Sequence, residues 1–371
     1  DVSGDFAQAA VVTPNGVGPF TGKFPPDLIY PERGNFEPRL GIALHPWRDT
    51  VLRAGYGINY TVGQYENFVQ DFAFAPPFAD VQDNKVYTAS DESPVINCSS
   101  FCLASGFPVL ESQQIGTWAI NKNYRLPYVQ VWNVNLQRTL PWEIVVNIGY
   151  NGTKGSRLDV VDAPGRYPET VGGVLSTTQP VAAANPAVIV PYDYENSTAF
   201  SNYNGLAVSA RKRLSGGVSL GATYTYSHAI DDASSVGGNG GTTCGGTCLA
   251  QNWQNLRAEE SNSSFDVRQN LRGSFVYELP FGPQTHLLTA DWLGHVLANT
   301  NFSGSYQFAS GNPMTPHYEA TSLGVTTGTT NSLRPDRVPG VPLTAGGGSL
   351  RNGFNKAAFA PPAGLYGTAS R

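Results

Sequence analysis

Hydrophobic and polar residues alternate with a two-residue period in eight segments of the chain. These segments are 39–46, 50–60, 128–140, 142–150, 203–214, 218–226, 271–279 and 300–308, of which the first and third alternate least cleanly. A two-residue period indicates β-strands whose two faces meet different surroundings. The pattern therefore predicts an all-β protein with antiparallel strands of about 9–13 residues, longer than is usual in soluble sheets.

Short and long connections alternate between these segments. Short turns join the strands of the predicted hairpins near 39–60, 128–151 and 203–228, and a medium connector joins those near 270–310. Long loops separate the hairpins, and residues 311–371 form a loop-rich tail. Compact soluble domains rarely carry several loops longer than about 12–15 residues. This alternation of short turns and long loops is typical of a transmembrane β-barrel. We therefore treat 1–371 as one barrel region with long extracellular loops.

One face of the predicted strands is aliphatic and aromatic, and the other is small and hydrophilic. The lipid-facing candidates are Tyr56, Ile148, Leu220, Tyr224 and Phe302. The lumen-facing candidates are Arg53, Arg211, Arg213 and Arg272. These arginines either line a solute path, pair with acidic residues of a plug, or pair with neighbouring barrel residues. A soluble sandwich would show the same alternation, but it would bury the apolar set between two layers.

Tryptophans mark the ends of the predicted strands. Trp47 and Trp142 fall at short turns, and Trp292 lies in the medium connector. Aromatic residues at this level form a girdle at a membrane interface. Ordinary packing of aromatic side chains against turns is the alternative.

Composition narrows the classes of protein that remain. The net charge is −5 and only 14% of residues are charged, so nucleic acid is excluded as the expected partner. Aromatic residues reach 11%, which does not fit a charge-driven disordered chain. The sequence has no run of 18 apolar residues, the length that a transmembrane helix needs, but barrel strands need none.

The four cysteines form two local pairs. Cys98 and Cys102 share a three-residue spacer, and so do Cys244 and Cys248. Both pairs lie in predicted loops, which favours two disulfides formed in an oxidising compartment. A four-cysteine zinc site and free thiols are the alternatives.

Candidate catalytic chemistry is sparse. No phosphate-binding loop, dinucleotide fingerprint or nucleophile elbow occurs, and the five histidines are scattered. We therefore expect no enzyme, no catalytic residue, no metal site and no resident cofactor. Asp91-Glu92 and Asp231-Asp232 fall in predicted loops, where we expect solvated acids, with calcium binding in the loops as the alternative.

An ordered set of short phrases resembles one known family. The set is NFEPRLG at 35–41 with LRAGYG at 52–57, LPYVQVWN at 126–133 with GYNGTKG at 149–155, SNYNGL at 201–206 with YTYS at 224–227, FDVR at 265–268 with YELPFG at 277–282, and RPDR at 334–337 with FNKAAF at 354–359. In this order the phrases resemble the Oar-like β-barrel region of TonB-dependent outer-membrane receptors of the type found in Acidobacteria. The resemblance extends over nearly the whole chain.

The resemblance implies a section of a barrel of about 22 strands in the outer membrane of a Gram-negative bacterium. It also implies a plug and a carboxypeptidase-regulatory-like domain, neither of which we identify in this sequence. Its implied partners are outer-membrane lipid, the inner-membrane TonB complex acting through that plug, and a large unidentified solute. Eight strands that do not close leave two strand edges bare, so we expect missing chain, a partner or self-assembly to supply the pairing. The alternative function is a structural or adhesive protein of the cell surface that assembles through its loops or strand edges.

Overall fold

The computed structural model describes a β-rich chain whose strands lie largely where the two-residue period predicts them. The described residues are 29–61, 118–121, 123–162, 169–171, 174–176, 193–234, 250–251, 255–281, 287, 292, 296–297, 300–316, 334–344, 353–363 and 366–370. No helix within these ranges is long and apolar enough to cross a membrane.

Fourteen strands and three short 3₁₀ turns make up the described secondary structure. The strands are β1 (Arg39–Trp47), β2 (Thr50–Tyr60), β3 (Trp118–Ile120), β4 (Tyr128–Leu140), β5 (Ile144–Asp162), β6 (Glu169–Val171), β7 (Val174–Ser176), β8 (Asp193–Ser215), β9 (Val218–Asp231), β10 (Ser261–Asn262), β11 (Gln269–Glu278), β12 (Asn301–Ala309), β13 (Asp336–Arg337) and β14 (Phe359–Ala360). The 3₁₀ turns are Pro141–Glu143, Leu256–Glu259 and Lys356–Ala358.

Eight long strands form one continuous antiparallel sheet in the order β1-β2-β4-β5-β8-β9-β11-β12. Every neighbour along this path is antiparallel to the next. The short strand β10 pairs with β9, and β3 pairs in parallel with β8. Within the described residues, β1 and β12 form the two edges of the sheet, so the described strands form an open arc.

The tight turns explain how this order arises. Gly216 and Gly217 connect β8 to β9, and both have positive φ angles, as the two central residues of a type I′ hairpin turn require. Between β4 and β5, Trp142 and Glu143 also have φ near +60°, a region that such residues rarely occupy. Trp142, predicted on a strand face, therefore lies in the 3₁₀ turn, and β5 begins only at Ile144.

Two strands extend well past their predicted ends. β5 has 19 residues and β8 has 23, and the additional residues lie on the side of the long loops. Their pairing is interrupted by register shifts between Gly155 and Leu158 and between Leu158 and Val160. These bulges break the two-residue period, which is why the extension was not predicted.

Large aromatic side chains cover glycines on neighbouring strands. A methyl group at Gly152 would lie 2.1 Å from the ring of Trp132, and one at Gly273 would lie 2.3 Å from Tyr306. Each glycine is directly opposite its aromatic partner in the register. Glycine is therefore required at these positions so that the ring can lie flat over the neighbouring strand.

Buried apolar residues are few in the described chain, and they lie outside the central part of the sheet. They are Tyr124, Val160, Ala199, Ala358 and Ala369. The buried polar residues are more numerous, and most belong to the loop end of the sheet and to the tail. The arrangement lacks the dry centre between two layers that a sandwich would have.

Candidate functional site

The strand register collects the apolar residues of eight strands on one face of the sheet. Residues directly opposite each other on antiparallel strands share a face. One such row runs across the whole sheet and consists of Leu44, Leu52, Leu136, Ile148, Val208, Tyr224, Leu271 and Phe308. Its neighbours toward the loops include Ile42, Val134, Tyr150, Leu206 and Tyr226. We call this the apolar face.

The height of the apolar face matches a membrane. On β5 the face begins at Ile144, beside the short turn, and its first charged residue is Lys154. Ten residue steps at about 3.3 Å each, tilted by about 40°, span about 25 Å. This is the height of the apolar band of outer-membrane barrels.

Polar and aromatic residues mark the lower limit of this band. Lys212 and Arg138 lie on the apolar face, in rows close to the short turns, where a long side chain can reach the interface. Trp47 and Trp142 lie at the turns themselves and are 70% and 82% exposed. Trp292, in the connector between β11 and β12, is 72% exposed. The positions fit an interfacial girdle and do not fit aromatic packing inside the turns.

The five lipid-facing candidates are all exposed on the apolar face. Their exposed fractions are 37% for Tyr56, 43% for Ile148, 50% for Leu220, 40% for Tyr224 and 62% for Phe302. No second layer covers them in the part of the chain that the structure describes. Their exposure fits an apolar face turned toward lipid, and contact of these five side chains with lipid remains a prediction.

The opposite face, which we call the polar face, is rich in small residues, amides and arginines. Its three central rows contain Arg53, Arg211 and Arg272 and no acidic residue. Arg53 donates to Oε1 of Gln137 at 3.2 Å, so it is paired with a neighbouring strand. Arg211 and Arg272 are exposed and make no hydrogen bond or ion pair to a described residue. The fourth candidate, Arg213, lies on β8, but its side chain is outside the described residues.

Two amide oxygens on the polar face also lack a protein donor. Oδ1 of Asn147 and Oδ1 of Asn270 are buried and have no hydrogen-bond partner. Buried acceptors without a protein partner are uncommon in native structures, and water or a bound solute normally satisfies them. The polar face therefore combines unpaired cations with unpaired acceptors, as expected of a surface that contacts water or a polar solute.

The loop acids Asp231 and Asp232 are not solvated, contrary to our expectation. Both are buried, with exposed fractions of 5% and 7%. Asp231 Oδ1 accepts the hydroxyl of Ser234 at 2.6 Å, and Asp232 Oδ1 accepts the backbone N–H of Phe200 at 2.8 Å. Their carboxylates hold the end of β9 against β8, because buried carboxylates require donors. Within the described residues no three His, Cys, Asp or Glu side chains are grouped to hold a metal ion.

A buried ion pair connects the tail to the loop that precedes β10. Arg334 and Glu259 are 4% and 1% exposed, and Nη1 of Arg334 donates to Oε2 of Glu259. Nε of Arg334 donates to the carbonyl of Ala369 at 2.8 Å. Gln251 completes the network, since its Oε1 accepts the N–H of Arg334 at 2.8 Å and its Nε2 donates to the carbonyl of Gly367 at 3.0 Å. Fully satisfied pairs of this kind fix the relative position of distant segments.

A second buried carboxyl lies on the extension of β5, outside the apolar band. Burial raises the pKa of Asp159, while hydrogen bonds from Glu195 and Tyr124 act in the opposite direction. The hydroxyl of Tyr124 donates to Oδ1 of Asp159 at 2.9 Å, and Tyr124 itself is only 1% exposed.

Sequence reasoning missed both buried networks. Arg334 belongs to a phrase that carries the family resemblance, but its partner Glu259 lies 75 residues away. Neither period nor spacing signals such a pair. The predicted disulfide residues Cys98, Cys102, Cys244 and Cys248 lie outside the described residues, as do Asp91 and Glu92, so the disulfides and loop calcium binding remain predictions.

Comparison with known proteins identifies a family. The model of the outer membrane beta barrel domain family matches residues 3–371. A search of curated proteins finds no match.

A search of solved structures finds matches to part of this chain. The FrpB iron transporter from Neisseria meningitidis (F3-3 variant) is 11% identical with a TM-score of 0.33, covering 66% of this chain and 24% of its own. The outer membrane transporter YddB from Escherichia coli is 8% identical with a TM-score of 0.35. The match covers 62% of this chain and 24% of the YddB chain. A chain of the FpvAI–pyocin S2 complex is 12% identical with a TM-score of 0.33. The match covers 75% of this chain and 26% of that chain. The chain thus spans about a quarter of the length of each.

Proposed function

Because this chain belongs to the outer membrane beta barrel domain family, we propose that it forms part of the wall of a TonB-dependent receptor that binds or moves a large solute at the bacterial surface. The protein is located in the bacterial outer membrane. In the proposal, the apolar face contacts lipid and the polar face lines the interior. Energy for transport comes from the inner-membrane TonB complex and reaches the barrel through a plug.

The observation that carries this proposal is the apolar face that the register builds across eight strands, which on β5 carries no charge over about 25 Å. The sheet satisfies the backbone groups of its inner strands while it presents hydrocarbon to lipid, and both are requirements for a membrane-spanning β-structure. The unpaired Arg211 and Arg272 on the other face support a solute path, because guanidinium groups at a lumen wall attract anionic or polar cargo.

A structural or adhesive role is the second candidate, and the two sheet edges favour it. β1 and β12 present strand edges that pair with no other described strand. Strand edges are natural templates for pairing with another chain. Self-assembly through these edges would place many copies of the long loops at the surface.

Uptake by the source bacterium separates the two roles. We expect a strain that lacks this gene and a strain that lacks TonB to lose uptake of the same large solute from a panel of candidate nutrients. Re-expression of the full gene should restore uptake, and re-expression with Arg211→Ser and Arg272→Ser together should restore it only in part. Arg48→Ser, a change of the same charge in an exposed turn, is the control. Uptake that survives loss of the gene, accompanied by loss of surface adhesion, would establish the structural role instead.

A further inference from the structure

The tail forms a cavity at the loop end of β12. Its volume is about 540 Å³, within the range of about 300–1,000 Å³ that is usual for sites that bind small molecules. The chain leaves β12 at Ala309 and reaches the cavity a few residues later. The apolar part of the lining consists of Met314, Pro316, Leu343, Phe354 and Phe359.

These apolar side chains are accessible rather than packed into a core. Met314, Leu343 and Phe354 are 63%, 50% and 55% exposed. Large apolar side chains that line a concave surface on the loop side of a membrane protein leave hydrocarbon in contact with water. A ligand with an apolar body would cover that surface, with a gain of about 25 cal/mol for each Å² removed from water.

The charged groups of the lining are both cations. Arg337 and Lys356 contribute to the cavity wall, and none of the described lining residues is acidic. The guanidinium of Arg337 donates to the carbonyls of Val338, Val341 and Ala358, which hold it in place without neutralising its charge. Lys356 is exposed and makes no hydrogen bond or ion pair to a described residue.

Asp336, the acidic residue next to Arg337 in sequence, accepts hydrogen bonds from the backbone of the tail. Asp336, which precedes Arg337 on β13, accepts the N–H of Ala363 at 2.7 Å and the N–H of Thr368 at 2.9 Å. The hydrogen bond from Ala363 is the main reason that the pKa of Asp336 is lowered. This carboxylate is thus bonded to the tail backbone, and no carboxylate among the described residues neutralises the positive charge at the cavity.

The cavity is held in shape by backbone and side-chain hydrogen bonds. Asn355, between Phe354 and Lys356, donates from its N–H to the carbonyl of Leu343 at 2.9 Å. Its Nδ2 donates to the carbonyl of Pro342 at 3.0 Å, and its Oδ1 accepts the N–H of Ala357 at 3.2 Å. These bonds fix Phe354 and Lys356 relative to Leu343 across the cavity. Binding therefore costs little conformational entropy, because these residues are already ordered.

From this combination we propose that the cavity binds an amphiphilic anion, a molecule with an apolar body and one carboxylate. The body lies against Met314, Leu343 and Phe354, and the carboxylate accepts hydrogen bonds from Lys356 within the field of Arg337. Binding here requires neither a plug nor TonB, so the site exists whether or not the barrel transports the molecule.

The experiment is a fluorescence titration of the full chain in lipid nanodiscs with 1-pyrenebutyrate, and with the uncharged 1-pyrenebutanol as a matched probe. Signal from protein-free nanodiscs is subtracted to remove partition into lipid. We expect the acid to bind about tenfold more tightly than the alcohol, because charge-assisted hydrogen bonds contribute a factor of at least that order.

Two variants separate the charge from the apolar wall. Lys356→Met should weaken binding of the acid about tenfold and leave the alcohol unchanged. Phe354→Ala should weaken both probes. Lys154→Met removes the same charge from an exposed position on β5 and should change neither probe. The circular dichroism spectrum of each variant verifies that the sheet has formed.

Three results would overturn the proposal. The first is equal affinity for the acid and the alcohol, which would reduce the cavity to a non-specific apolar patch. The second is full affinity for the acid in a folded Lys356→Met variant. The third is a signal no greater than that of protein-free nanodiscs.

Discussion

Val208 tests whether the apolar face contacts hydrocarbon or water. It lies in the apolar row that contains Ile148, four residues from Lys212 at the turn end of β8. Four steps of about 3.3 Å at a tilt of about 40° place it about 10 Å inside the band, near the membrane midplane. An arginine at that depth costs about 2–4 kcal/mol. The same substitution at a water-exposed sheet position would cost within about 0.5 kcal/mol.

The neighbouring residue provides the matched control. Ala207 is also aliphatic and lies on the polar face, opposite Gly149 and Thr225. We therefore expect Val208→Arg to lower the free energy of unfolding by about 2–4 kcal/mol and Ala207→Arg to lower it by less than about 1 kcal/mol. Urea titration of the chain in phospholipid vesicles, followed by tryptophan fluorescence, measures both values.

The two variants refute the reasoning if their order is reversed or if they are equal. A Val208→Arg protein as stable as the unmodified chain would mean that water, not lipid, surrounds this row. Equal losses would mean that both faces are covered, as in a layered soluble fold. Either result would remove the basis for the proposed barrel wall.

Three further substitutions test the packing and the buried networks. Gly152→Ala should destabilise the sheet by about 1–3 kcal/mol, because the added methyl group would overlap the ring of Trp132; urea titration measures the loss. Glu259→Gln should cost about 3–5 kcal/mol of local stability, because it leaves Arg334 buried without its counter-charge; proteolytic release of the tail reports it. Burial raises the pKa of Asp159 above its usual 3.8, so the native form holds its proton more tightly and its stability falls as the pH rises past that value. Asp159→Asn should abolish this loss, and hydrogen exchange of β5 at pH 4 and pH 8 detects it.

Controls for these substitutions come from the same chain. Gly221→Ala should have little effect, since its nearest contact would be Oγ of Ser274 at 3.6 Å. Replacing Glu259 and Arg334 together by methionine should recover most of the stability lost by Glu259→Gln, because it removes the unpaired charge. A flat pH response of the unmodified β5 extension would contradict the account of Asp159.

Regular alternation made the sheet predictable. β1, β2, β4, β11 and β12 begin and end within about two residues of their predicted limits, because each residue alternately meets two different environments. In the register the five apolar candidates share one face of the sheet and Arg53, Arg211 and Arg272 share the other, while their contacts with lipid or lumen stay predictions. Alternation alone could not indicate whether the faces meet lipid, because soluble sheets share it; the alternation of short and long connections carried that prediction.

The loop end was not predictable on the same grounds. Its contacts join residues far apart in sequence, such as Gln251 with Gly367 and Glu32 with Arg157, and no local pattern encodes them. Arg157 even has a positive φ, which breaks the strand geometry that a two-residue period detects. The burial of Asp231 and Asp232 was missed because charged residues in a loop are normally assigned to water.

Along the eight-strand path, long strands that follow each other in sequence also lie side by side in the sheet. This order has an evolutionary consequence. Removal of an entire up-and-down pair, such as β4 with β5, would bring β2 beside β8 with their directions still opposed. Duplication of a pair would be equally compatible, and β1 would still begin and β12 still end on the side of the long loops. Pores of different diameter can therefore arise from one ancestral gene by gain or loss of modules two strands at a time.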